Sequence, residues 1–140
     1  MADPKSFRRD LRRFMGKTRR ALNVVVEEVG LATRQNIALR TPILTGRASG
    51  SWNAGLNVAI EETKGESYNN PSGAPFDGVQ AVDGFALGDT IIISNSISYI
   101  MDLNNGSSLK APAGFIEMAA IEWQFILPTA ASRAKQRFRL

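Results

Sequence analysis

Between Phe7 and Ile37 the apolar residues recur in steps of three and four: Phe7, Leu11, Phe14, Ala21/Leu22, Val25, Val29, Ala32 and Ile37. That spacing places them on one stripe of a helix, with the basic residues mostly on the other faces. Asp3-Pro4 supplies an N-cap and a proline in the first turn. Thr41-Pro42 supplies the stop, because proline drives the preceding residue out of the α region. The pattern predicts one helix over 4–40, with Gly16 and Gly30 as the points where a bend or break would fall. At about 1.5 Å per residue it spans some 50 Å, long enough to overhang a small core and need a neighbour to cover it.

The period then changes. Trp52, Ala54, Leu56, Val58 and Ile60 alternate with Asn53, Gly55 and Asn57, the signature of a half-buried strand. Residues 61–78 are polar and rich in Gly and Pro, which predicts a long flexible loop; 79–87 read as a short helix. "DTIIISNS" predicts a second strand buried on both faces. Ser98 to Asn104 fits a turn or two of helix with Tyr99, Met101 or Leu103 facing inward, stopped by Asn105-Gly106. Gly114 to Leu127 is apolar almost all round and reads as a buried helix, kinked or restarted at Pro128. A basic, frayed tail over 129–140 follows. The expected fold is therefore α+β in a single domain over 1–140: a long N-terminal helix, a small mainly antiparallel β-sheet and a buried C-terminal helix.

Charge adds a polarity to this picture. Residues 1–20 hold eight Lys/Arg against two Asp, a balance of +6, and 129–140 add four bases and no acid. The middle, 21–128, carries five bases and eleven acids, a balance of −6. Such a split suits contact between copies, or with other partners, through opposite-signed surfaces; solvated helix faces give the same split. No uncharged apolar run is long enough to span a bilayer and no signal-peptide core follows the basic start, so a soluble protein made in a cytoplasm is expected.

The chain has no cysteine and no histidine, which removes thiolate metal sites, the commonest zinc ligand and the commonest general base. The glycines at 46–50 and 84–88 match neither a P-loop nor a dinucleotide-binding fingerprint and read as turns. Glu27-Glu28 diverge on a helix, Glu61-Glu62 open a polar loop, and Asp83 and Asp89 flank a turn. No catalytic residue, metal or cofactor is assigned, and an enzyme is not expected. The segment "KSFRRDLRRFMGKTRR" offers Arg8, Arg9, Arg12, Arg13, Lys17, Arg19 and Arg20 as contacts to DNA or to a partner. Its aromatics sit on the apolar stripe and read as core rather than as base-stacking platforms.

Two segments carry a resemblance. "RTPILTGRASGSW" contains Thr41, Pro42, Thr45, Gly46, Ser51 and Trp52 in a Thr-Pro-x-x-Thr-Gly-x-x-x-x-Ser-Trp pattern. "TIIISNSISYIMDLNNGSSLKAPAGF" contains Asn95, Tyr99, Leu103, Gly106, Ser108, Ala111, Pro112 and Gly114 in Asn-x-x-x-Tyr-x-x-x-Leu-x-x-Gly-x-Ser-x-x-Ala-Pro-x-Gly. In this order they resemble the tail-completion or neck proteins of long-tailed bacteriophages, the group that includes the lambda minor tail protein Z. Asn104 and Lys110 depart from that pattern, where glutamate and glutamine are frequent. The resemblance implies a virion structural protein, assembled in the bacterial host cytoplasm, that forms a ring at the head–tail junction or the head-proximal end of the tail. Its partners would be copies of itself, adjacent neck or tail-tube proteins, and DNA in non-specific transit; no membrane is involved. A tail terminator or head-closure ring is the neighbouring alternative, and a small basic non-sequence-specific DNA-binding protein is the alternative of another class. For the motif residues themselves, fold maintenance is the first reading and partner contact the second.

Overall fold

The computed structural model describes residues 3–106 and 113–140. Helix α1 runs unbroken over Pro4–Arg40, with the Asp3 carboxylate accepting the Lys5 N–H at 2.9 Å. Neither Gly16 nor Gly30 interrupts it. Gly30 has another use: a Cβ there would stand 2.9 Å from the Ile91 side chain, so the missing methyl lets the sheet approach the helix. Thr41 leaves the helix with ψ 130°, as the following proline requires.

The sheet is three-stranded, ordered β2-β1-β3, with β1 Asn53–Leu56, β2 Gln80–Ala81 and β3 Ile91–Ser94. β1 pairs antiparallel with β3 over four positions and parallel with β2 over two. The alternation expected from Trp52 to Ile60 stops early. Asn57 takes a left-handed conformation (φ 62°) and exchanges hydrogen bonds with Thr90, its N–H to the Thr90 carbonyl and the Thr90 N–H to its side chain. The chain turns there, Val58 swings out to solvent, and Trp52 to Gly55 are all buried rather than half-buried. Residues 79–87 are not helical. Val82 and Phe85 are buried at a spacing of three, but Gly84 (φ 82°) and Gly88 (φ 104°) turn the backbone instead. All four residues of β3 are half-buried, so neither face is fully covered.

Helix α2 (Ile100–Asn104) buries Ile100 and Asn104; Tyr99 and Leu103 pack partly against the core, and Met101 points to solvent. Two helices follow, α3 (Phe115–Ile121) and α4 (Trp123–Phe138), so the break falls at Glu122 while Pro128 lies inside α4. The expectation of a buried apolar helix over 114–127 is corrected. Only Phe115 and Ala119 are buried in α3, while Trp123, Leu127 and above all Phe125 (77% exposed) face outward. The tail is corrected too: through Phe138 it is helix, and Ala130 and Ala134 pack against Ala21 and Val25 of α1.

Two apolar clusters result. The larger joins Ile37, Ala38, Trp52, Ile97, Ile100 and Phe115, and the smaller is the α1–α4 seam. Side-chain bonds to Glu122 from Asn36 and Arg40, and to Glu28 from Arg133, tie the C-terminal helices to α1.

Candidate functional site

The residues of the first motif, with Asn95 and Tyr99 of the second, converge where α1 ends. The Trp52 indole N–H donates to the Thr41 hydroxyl at 2.8 Å, and that hydroxyl donates onward to the Ile37 carbonyl at 2.8 Å. Pro42 is half-buried beside it. Gly46 has φ 89°, and a Cβ there would lie 2.4 Å from the Ala74 side chain. The Thr45 carbonyl accepts the Asn70 N–H at 2.9 Å, and the Ser51 hydroxyl donates to the Arg47 carbonyl while accepting the Lys64 N–H. The bonds from Asn70 and Lys64 pin the 61–78 segment to the connection that follows the helix. Asn95 reaches the Ala48 carbonyl at 2.9 Å, and the Arg47 guanidinium stands 5.8 Å from the Tyr99 ring centre. Leu103 lies against the same core, Gly106 (φ 93°) ends α2, and Gly114 (φ 81°) starts α3. Ser108, Ala111 and Pro112 lie outside the described residues, as does Lys110.

Three buried polar residues to which the sequence assigned no role, Arg34, Asn53 and Asn104, complete this knot. Arg34 is fully buried and has no carboxylate partner among the described residues; Nη1 donates to the Trp52 carbonyl at 3.0 Å and Nη2 to the Pro75 carbonyl at 3.2 Å. Burial lowers the Arg34 pKa. Its place three and four residues before Ile37 and Ala38 put it on a covered face of the helix, which was the available signal. Asn53 donates to the Ile60 and Glu62 carbonyls and accepts the Val79 N–H, closing both ends of the 61–78 segment. Asn104 accepts the Ile116 N–H at 2.9 Å and donates to Glu117, linking α2 to α3. The knot is polar and densely bonded among its own groups, with Arg34 Nε a buried donor left without a hydrogen-bond partner among the described residues, and it brings no nucleophile and base together.

The open surface is elsewhere. The first third of α1, Pro4 to Met15, forms an arm with almost every residue exposed. Phe7 is 61% exposed, Phe14 58%, and Leu11 and Met15 are also open. Placing Phe7, Leu11 and Phe14 in the core was wrong: the helical stripe is real, but the body covers only its later half. At about 100° per residue, Arg9 and Arg13 fall on faces turned away from the stripe, Arg8 lies along one border with Arg12 beyond it, and Asp10 lies along the other. Arg8, Arg9, Arg12, Arg13, Arg19 and Arg20 are exposed and Lys17 is half-buried where α4 ends nearby. The arm thus shows a cationic face and an apolar face at once.

Among the described residues no helix is long and apolar enough to cross a membrane, and no group of three or more acidic side chains could hold a metal ion. No known family model matches the chain, and no curated protein or solved structure is significantly similar to it.

Proposed function

We propose that this protein is a structural subunit of a tailed-bacteriophage virion, a ring-forming neck or tail-completion protein at the head–tail junction through which DNA passes. The observation that carries the reading is the arm. A 37-residue helix leaves Phe7, Leu11, Phe14 and Met15 uncovered on one face, which a chain working alone gains nothing from exposing. Burying such side chains is worth roughly 1.5–3 kcal/mol each, enough for a few of them to hold neighbouring copies together. The order of the two motif segments supports the reading through the resemblance, and the bonding of their described residues supports a packed body on which the arm is mounted.

Electron microscopy of lysates from a phage carrying a nonsense mutation in this gene tests the reading. DNA-filled heads beside separate tails of normal length are expected. Overlong tails would instead assign a terminator, and intact infectious particles would overturn the virion role.

The cationic face of the arm favours a second reading, a non-sequence-specific DNA-binding protein. Its mark is affinity that falls steeply with salt in a monomer and is lost on changing Arg8, Arg9, Arg12 and Arg13 to Ala.

A further inference from the structure

We propose that the arm of one copy docks, apolar face inward, in the groove between α1, β3 and α4 of a second copy. The inference rests on the self-assembly in the reading above and names the surfaces that perform it.

The groove, about 510 Å3, is lined by Val26, Val29, Phe85, Ile91, Trp123 and Leu127 among others. It is apolar, and Trp123 and Leu127 leave its rim open to solvent. Asp89 is its one charged lining residue among those described, and no base lines it. Hydrogen bonds from the Ala86 N–H and the Asn57 amide hold the Asp89 carboxyl below its usual pKa, so it carries charge at neutral pH. Asp83, exposed, precedes Phe85 by two residues. The arm offers the complement: an apolar face of Phe7, Leu11 and Phe14 with Arg8 at one edge and Asp10 at the other, in a segment whose balance over residues 1–20 is +6.

Geometry and charge select a second copy as the occupant. Leu11 and Val29 lie on the same unbroken helix, roughly 27 Å apart along its axis, so no arm reaches its own groove. Two arms paired with each other would set one +6 segment against another. Arm in groove is a head-to-tail contact between unlike patches, the kind that repeats from copy to copy and forms a ring when its rotation closes.

The absence of cysteine makes the test clean. Leu11→Cys and Leu127→Cys proteins, both substituted at exposed positions, are mixed, mildly oxidised and separated without reductant. Arg9→Cys, on a face of the arm turned away from the stripe, replaces Leu11→Cys in the control. Circular dichroism checks that each variant keeps its helix content. Thiols held side by side react as if at roughly millimolar concentration, so about tenfold more mixed dimer than in the control is expected. The Leu11→Cys/Leu127→Cys double variant should give a ladder of higher multimers. A mixed dimer no more abundant than the control overturns the proposal, as does a dominant Leu11→Cys homodimer. Arm thiols shielded only by anionic phospholipid vesicles would overturn it in favour of a membrane surface. Cross-linking with normal particles in the nonsense mutant would retain the interface and remove the virion role; the reverse pair of results would do the opposite.

Discussion

The Trp52 indole nitrogen lies 2.8 Å from the Thr41 hydroxyl, so the last residue capping α1 and the residue entering β1 are joined across a ten-residue connection. Both are buried, Thr41 at 3% exposure and Trp52 at 5%. Removing the acceptor strands a buried donor, which costs about 1–3 kcal/mol. Thr41→Val is therefore expected to lower the unfolding free energy by that amount, read as a lower urea midpoint with an unchanged denaturant slope. Trp52→Phe leaves the Thr41–Ile37 bond in place, and the double variant should lose less than the two single losses combined.

Arg34 braces the same region from the other side. Its guanidinium spans two carbonyls, those of Trp52 and Pro75, which a single ammonium on a flexible stem cannot hold in the same plane. Arg34→Lys should destabilise the fold by about 2 kcal/mol or more, and Arg34→Ala by more still, because it leaves buried carbonyls unpaired. Thermal unfolding followed by circular dichroism reads both; an Arg34→Lys protein as stable as the parent would refute the bracing role.

Gly78 meets this brace at close range. A Cβ on it would stand 1.7 Å from the Trp52 carbonyl oxygen and 2.9 Å from Arg34 Nη1, and the first of these is backbone. Gly78→Ala is expected to lose about 3 kcal/mol or more, or to leave the chain unfolded, since it displaces a buried network. Gly65→Ala, where nothing lies within 4 Å, should stay within about 0.5 kcal/mol of the parent. Chemical denaturation of the two side by side separates close approach from glycine content.

Tyr68 reports on the attachment of the 61–78 segment. Loss of hydration, followed by a hydrogen bond to Asp77 Oδ2 at 2.7 Å and that carboxylate's charge, pushes its pKa up from 10.0 to about 12. A group whose folded pKa is raised contributes stability that is complete below the unfolded value and disappears as pH rises through the folded one. The contribution should thus persist to about pH 10 and be lost by about pH 12. Ultraviolet titration of the phenolate should place Tyr68 late, and Asp77→Asn should bring its midpoint down. An unmoved midpoint would show that the Asp77 contact is absent in solution.

Much of the scaffold was legible along the chain because its signals are local. Asp3-Pro4 and Thr41-Pro42 bound α1, three consecutive isoleucines lead β3, and Asn105-Gly106 stops α2. Each acts through backbone sterics or side-chain period within a few residues. Gly106 was legible for the same reason, since a positive φ is a property of one residue.

What only the tertiary structure decided is which surfaces are covered. The stripe from Phe7 to Ile37 has one period throughout, yet Ala21 and Val25 are buried and Phe7 and Phe14 are not, because α4 returns to cover only the later part. Gly114 to Leu127 looked fit for burial, but α3 and α4 present mainly alanines to the body and turn Phe125 outward. The spacing of Arg34 to Ile37 and Ala38 puts it on a covered face, but its partners are fixed only when Trp52 and Pro75, eighteen and forty-one residues away, bring their carbonyls to it. Hydropathy fixes what a residue would gain by burial. Only the arrival of distant chain decides whether it is buried, and by the inference above that distant chain includes a second copy for the arm.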